Sequence, residues 1–111
     1  MPYDQQLAQR IRIVLGKRPG LIEKKMFGGV GFILNGNMAC GVQGDSLIVR
    51  VGTENNDSAL SQPFVRPFIV TGGKPMAGWV LVDPDGVVSE QELGVWVERG
   101  YAYAQSLPWK G

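Results

Sequence analysis

The sequence contains no histidine and only one cysteine, Cys40. Without an imidazole the chain cannot build a histidine-based triad or use a histidine general base, and zinc sites that need histidine are excluded. One cysteine can form neither an internal disulfide nor a thiolate cage. We therefore expect no metal and no cofactor, and this cysteine usage favours a reducing compartment, the cytoplasm.

Long apolar runs are also missing. No run approaches the roughly 20 residues that cross a bilayer, and residues 1–18 lack the continuous hydrophobic stretch of a signal peptide. We therefore expect no membrane association. Of the 111 residues, 44% are apolar and 19% are charged, which is typical of a globular protein. This length predicts a single domain over residues 1–111.

The formal net charge is only +1, but the charges are unevenly distributed along the chain. Residues 1–52 carry seven basic and three acidic side chains, whereas residues 53–111 carry four and seven. Such asymmetry indicates either a basic face or simply solvated charges on interleaved elements. The candidate nucleic-acid contacts on a basic face are Arg10, Arg12, Lys17, Arg18, Lys24, Lys25 and Arg50.

Hydrophobic periodicity predicts a helix followed by three strands in the first half of the chain. Apolar residues at helical spacing indicate an amphipathic helix over residues 4–17. Alternating apolar residues then predict strands within 26–35, 38–42 and 47–51. Asn35 and Gly36 predict a two-residue hairpin turn, because both tolerate positive φ, and this turn would pair Phe32 with Ala39.

The second half predicts a short helix, two strands and a long helix. Thr53 is the expected N-cap of a helix over 54–60. Pro67 cannot donate to a ladder, so the strand within 64–71 is expected at a sheet edge. A strand over 78–83 precedes the turn "DPDG", and Ser89 with Glu92 forms a capping box for the last helix. Gly100 lies on the apolar face of that helix, where a close neighbour can use the missing side chain.

This order predicts an α+β domain of two layers, α-β(3)-α-β(2)-α, with helices on one side of an antiparallel sheet. Catalytic and metal-binding candidates are weak. Cys40 lies in a predicted strand without a histidine to activate it, which favours a buried core cysteine over a nucleophile. Asp83 and Asp85 resemble the start of a calcium loop, but the twelfth position falls on Gly94, so a turn is the better interpretation.

The segment "EKKMFGGVGF" (residues 23–32) has neither Walker spacing nor the G-x-G-x-x-G pattern of a phosphate-binding loop. As a strand, it leaves one sheet face almost bare around Gly29 and Gly31. A bare face indicates a bulge or tight packing, or else room for a helix, a second subunit or a ligand. Lys24, Lys25 and, further along, Lys74 are plausible contacts for phosphate or a partner carboxylate. The candidate partner contacts are Lys24, Lys25, Phe27, Gly28, Gly29 and Lys74.

Several longer stretches together resemble the TfoX N-terminal domain family over almost the whole chain. They are "EKKMFGGVGFILNGNMACGVQGDSLIVRVG", "VRPF", "GKPMAGWVLVDPDG" and "WVERGYAYAQSLP". The resemblance implies a domain of the secretion-chaperone-like fold, which agrees with the predicted order of elements. It also implies regulation of competence-type genes, in which two-domain members act beside a cyclic-AMP receptor regulator. It supplies no catalytic residues.

We therefore expect a stand-alone, cytoplasmic, non-enzymatic interaction domain that is an accessory in transcriptional regulation. Its expected partners are a transcription regulator protein and a second copy of itself, bound through the strand edge at residues 64–70. Direct nucleic-acid binding by the basic residues of the first half is the alternative function. An enzyme that uses Cys40 is a second, weaker alternative.

Overall fold

Three α-helices and six strands make up the part of the chain that the computed structural model describes, residues 3–26, 28–69 and 73–110. The helices are α1 (Gln5–Leu15), α2 (Asn56–Leu60) and α3 (Glu90–Ser106). The strands are β1 (Leu21–Met26), β2 (Gly29–Leu34), β3 (Asn37–Gln43), β4 (Ser46–Arg50), β5 (Val65–Ile69) and β6 (Pro75–Val82). Short 3₁₀ turns at Thr53–Asn55 and Pro84–Gly86 precede α2 and α3.

The six strands form one antiparallel sheet in the order β1-β2-β3-β4-β6-β5. Residues of α1, α2 and α3 share one apolar core with alternate residues of the strands, including Ile11, Val97, Phe32 and Val49. The predicted α+β class, with helices packed on an antiparallel sheet, is confirmed. The sheet has one strand more than predicted, because residues 21–26 form β1 at one edge.

The opposite face of the sheet is covered by the sheet's own side chains. Ile33, Met38, Ile48, Phe68 and Leu81 form a second buried cluster on this face, with Met26, Met76 and Trp79 at its margin. A Cβ atom on Gly31 would approach Met26 Sδ to 2.7 Å and Met38 Cε to 3.4 Å. The methionine side chains therefore fill the space above this glycine, and the tight-packing interpretation of the bare face is confirmed.

The β2–β3 hairpin turns at Asn35 and Gly36 as predicted, with φ angles of 50° and 86°. The predicted pairing of Phe32 with Ala39 is wrong, because a bulge shifts the register and Phe32 pairs with Cys40. Ala39 is the extra residue of this bulge, a feature that the turn chemistry does not determine.

Local capping determines where the long helices begin. The Asp4 carboxylate accepts hydrogen bonds from the backbone N–H groups of Gln6 and Leu7, so α1 begins one residue later than predicted. The capping box of Ser89 and Glu92 is confirmed at the start of α3. Thr53 was wrongly predicted as the N-cap of α2, since it is the first residue of a 3₁₀ turn and α2 begins at Asn56.

Candidate functional site

The predicted contacts Lys24 and Lys25 lie in β1, the edge strand that the sequence did not reveal. Lys25 pairs with Val30, whose side chain lies in the helix-side core, whereas Lys24 pairs with Gly31 beneath the methionines. Successive residues of a strand point to opposite faces. The two lysines are both exposed, but they project to opposite sides of the sheet. Phe27, a third predicted contact, lies outside the described residues.

A cleft of about 320 Å³ lies beside Lys25 and is bordered by Tyr3, Met26, Gly28 and Gly29. Gly28 is exposed, with a φ of 72° and open space where a Cβ would lie. The structure thus brings three predicted contacts, Lys25, Gly28 and Gly29, to one end of the β1–β2 hairpin.

Lys74 lies far from this cleft in the topology of the sheet. It immediately precedes β6, and three strands separate β6 from β1. Lys74 also lies at the opposite end of the strands. It precedes Pro75, which pairs with Ile69. The pairs across the sheet instead align the Met26–Gly29 end of the β1–β2 hairpin with Val82 and Val65. Lys74 therefore does not share a binding surface with Lys25.

The outer edge of β1 presents unpaired backbone groups. The N–H of Asn35 donates to the carbonyl oxygen of Gly20 at 3.0 Å. Because hydrogen-bonded and non-hydrogen-bonded pairs alternate along an antiparallel ladder, this bond shows which residues of β1 bond to β2 and which face the other way. It follows that Glu23 and Lys25 direct their N–H and C=O groups outward, where no described strand pairs with them. The N–H of Leu21 is not available in this way, because it donates to the carbonyl oxygen of Arg18 at 3.1 Å. The register of β1 against β2 contains no shift, so this edge is regular over six residues.

The other edge, β5, was predicted to be exposed because of Pro67, and its edge position is confirmed. Its ladder with β6 is interrupted by a register shift between Pro67 and Ile69. A proline and a bulge both disfavour pairing with a further strand. For backbone pairing, β1 is therefore the better edge.

Two arginines of the basic set hold α1 against its neighbours. Arg10 donates through Nε to Glu90 at 2.9 Å and through Nη2 to the carbonyl oxygen of Val87 at 2.7 Å. Arg12 donates to both carboxylate oxygens of Glu23, at 2.6 and 3.1 Å. Each guanidinium thus already has a carboxylate partner inside the domain.

Arg18 makes the third such ion pair. It donates to both oxygens of Glu98, at 2.9 and 2.7 Å, and lies over the ring of Tyr101 at 4.3 Å. The hydrogen bond from Arg18 lowers the pKa of Glu98 despite the opposing effect of desolvation. The same bond raises the pKa of Arg18. This bidentate pair joins the end of α1 to α3.

Arg50 is held by aromatic rings instead of a carboxylate. Its guanidinium carbon lies 4.9 Å from the centre of Trp79 and 5.6 Å from that of Tyr103. The remaining members of the basic set are the exposed lysines Lys17, Lys24 and Lys25. The structure does not gather the seven side chains into one basic face, since three of them are in internal ion pairs and Lys24 and Lys25 diverge.

Cys40 lies in β3 with no exposed surface. Burial, with a smaller contribution from the negative charge of Glu98, raises the pKa of the Cys40 thiol to about 12. The expectation of a core cysteine is confirmed.

A groove of about 350 Å³ was not predicted from the sequence. It lies between the segment before β5 and the first turns of α3, and it is lined by Gln62, Pro63, Phe64, Gly86, Gln91, Glu92, Val95 and Trp96. Phe64 has a φ of 66°, which is rare for an aromatic residue and costs on the order of 1–3 kcal/mol. The one signal in the sequence is the position of Val95, an apolar residue away from the apolar stripe of α3. The structure shows that its side chain is exposed.

The model of the TfoX N-terminal domain family matches residues 14–104, from the last two residues of α1 to the last turn of α3. The chain belongs to this family. The family is associated with competence regulation. Searches of curated proteins and of solved structures found no match to the chain.

Two further properties of this TfoX N-terminal domain bear on its chemistry. Within residues 3–26, 28–69 and 73–110, no three acidic or thiol side chains lie close enough together to hold a metal ion. In the same described segments, no helix is both long enough and apolar enough to span a membrane.

Proposed function

We propose that this TfoX N-terminal domain is a non-enzymatic interaction module of the cytoplasm. It acts in competence-type transcriptional regulation by binding a partner protein, a transcription regulator. Membership of a family associated with competence regulation supports the biological setting. The observation that carries the proposal is the regular, unpaired outer edge of β1 with its two exposed lysines.

The chemistry of this edge indicates the kind of segment that would bind. The outward backbone groups of Glu23 and Lys25 can accept an added strand, and main-chain hydrogen bonds then provide affinity. Lys24 and Lys25 place one positive charge on each face of that strand, and Met26 adds an apolar contact at the cleft. We therefore propose that the partner contributes an extended segment with acidic side chains.

The internal ion pairs weigh against the nucleic-acid alternative. Binding to phosphates draws on free Lys and Arg side chains, but Arg10, Arg12 and Arg18 are already within 2.9 Å of carboxylates of the domain. Recruiting them for DNA would break contacts that hold α1 in place.

The test is capture of a partner by the immobilised domain from a lysate of its native host. The double variant Lys24→Glu plus Lys25→Glu should lose the captured protein and keep its circular dichroism spectrum. A matched pair of single variants, Lys25→Glu and Lys74→Glu, makes the same change in net charge at and away from the edge, because three strands separate β6, which Lys74 precedes, from β1. Lys25→Glu should capture less of the partner, and Lys74→Glu should capture normally. Equal capture by both variants would exclude β1 as the binding surface.

Strand addition has its own test at Lys25, whose N–H points outward. Lys25→Pro removes that donor without removing a bond of the β1–β2 ladder, whereas Lys25→Ala removes only the side chain. Strand addition predicts weaker capture by the proline variant than by the alanine variant. Anisotropy of labelled DNA at ~50 and ~200 mM salt tests the alternative, because salt-sensitive binding at the lower concentration would favour nucleic acid.

A further inference from the structure

We propose that the groove between Phe64 and α3 is the contact surface between two copies of this chain. We call this surface the α3 patch and define it by Pro63, Phe64, Val95 and Trp96, which line the groove together. It is distinct from the edge of β1, and the proposal does not depend on the function assigned to that edge.

The apolar centre of the α3 patch faces solvent. Phe64 is 51% exposed and Val95 is 57% exposed, on opposite sides of the groove. Neighbouring exposed apolar side chains that border a groove are typical of an interaction surface.

The backbone holds Phe64 in this exposed position. The carbonyl oxygen of Phe64 accepts a hydrogen bond from the N–H of Asp83 at 2.8 Å. Gly86 lies directly beneath, because a Cβ there would come within 3.2 Å of the Phe64 Cβ and 2.7 Å of Val82 Cγ1. A strained aromatic residue that is fixed by its surroundings and still exposed indicates a role for the ring outside the fold.

Charges along α3 indicate what covers the patch. Glu92, Trp96 and Arg99 lie within two turns on one side of the helix, with Val95 beside them. Glu92 therefore lies at one end of the apolar centre and Arg99 at the other, roughly 10 Å away at 1.5 Å per residue. Arg99 lies 4.8 Å over the ring of Trp96 and makes no ion pair with the described residues.

This arrangement is complementary to itself. If two α3 helices lie antiparallel across a two-fold axis near Val95, Glu92 of each copy faces Arg99 of the other. The apolar centres then meet at the axis, and each copy contributes the same patch. An unrelated partner would not need opposite charges at the two ends, so the geometry points to a second copy of this chain.

Sedimentation equilibrium of the full chain from micromolar to millimolar concentration tests the proposal. The wild type should reach twice the monomer mass, and Val95→Glu should remain a monomer over the same range. Ile13→Glu is the matched control, because Ile13 is 68% exposed on α1 and lies outside the groove. A wild type that stays monomeric, or a Val95→Glu variant that dimerises as well as the control, would overturn the proposal.

Charge exchange tests the antiparallel register. Glu92→Arg and Arg99→Glu should each raise the dimer dissociation constant about tenfold or more, and the double variant should recover most of that loss. Because Glu92 also caps α3, the double variant is compared with Glu92→Arg, which has the same cap defect. A double variant that dimerises no better than Glu92→Arg would refute this register. Lys24→Glu plus Lys25→Glu should dimerise normally, which separates self-association from partner binding.

Discussion

Gly94 and Gly100 both lie inside α3, but their surroundings differ. A Cβ built on Gly100 would overlap the carbonyl oxygen of Ala39 in β3 and lie 3.1 Å from its carbonyl carbon. A Cβ on Gly94 would meet nothing within 4 Å. The sequence predicted that a close neighbour uses the missing side chain of Gly100, and this is confirmed. α3 therefore requires glycine at position 100 and not at position 94.

Alanine at either position should have the same intrinsic effect on the helix, a gain of about 0.5–1 kcal/mol in the free energy of unfolding. Gly94→Ala should show this gain. Gly100→Ala must also move α3 away from β3, because a backbone carbonyl cannot rotate aside as a flexible side chain can. Such overpacking costs about 1–3 kcal/mol. The two variants should therefore differ by about 1–3 kcal/mol, with Gly100→Ala the less stable.

Urea unfolding followed by circular dichroism measures this difference. With an m-value of about 1–3 kcal/mol per molar urea, a separation of 2 kcal/mol shifts the midpoint by roughly 1 M. Gly94→Ala serves as the matched control, since it makes the same substitution in the same helix. Equal midpoints for the two variants, or a Gly100→Ala protein more stable than the wild type, would refute the close contact between α3 and β3.

The remaining predictions concern ionisable groups. Since the pKa of Glu98 is lowered in the folded protein, its ion pair should stabilise the fold above the ordinary carboxyl pKa and lose this effect as the pH falls through the lowered value. Glu98→Gln should cost no more than about 1 kcal/mol at pH 7 and less as the pH falls through the lowered pKa, and urea midpoints that differ by the same amount at every pH would contradict this. Cys40, with its pKa of about 12, should resist a thiol reagent at pH 7.5 until the protein is denatured, whereas rapid labelling of the native protein would show that the thiol is accessible.

The sequence predicted those features that depend on neighbouring residues. The turn at Asn35 and Gly36 and the capping box at Ser89 follow from local backbone chemistry. β1 has no comparable signal, because its middle residues Glu23, Lys24 and Lys25 are all charged and hide any alternation. It becomes a strand by pairing with β2, which is a tertiary effect that overrides propensity.

The candidate site was harder to predict for the same reason. Lys24 and Lys25 are adjacent in sequence and suggested one positive cluster, but the strand directs them to opposite faces. The partners of Arg10 and Arg18 lie 80 residues further along the chain, and no local pattern reveals such pairs. Phe64, with its left-handed backbone, likewise contacts residues distant in sequence, since its carbonyl oxygen accepts from Asp83 and its side chain lies next to Gly86.

The ion pairs of Arg10 and Arg18 also bear on the order in which the domain folds. Strands β1 to β4 are consecutive neighbours joined by short turns, so their contacts need little loop closure and can form early. Arg10 and Arg18 instead bridge residues near opposite ends of the chain, which can meet only after the sheet has brought α1 and α3 together. Removing these bridges, for example with Arg18→Gln, should accelerate unfolding in stopped-flow experiments and leave the refolding rate almost unchanged. The ion pairs of Arg10 and Arg18 therefore determine the lifetime of the native state and not the rate at which strands β1 to β4 assemble.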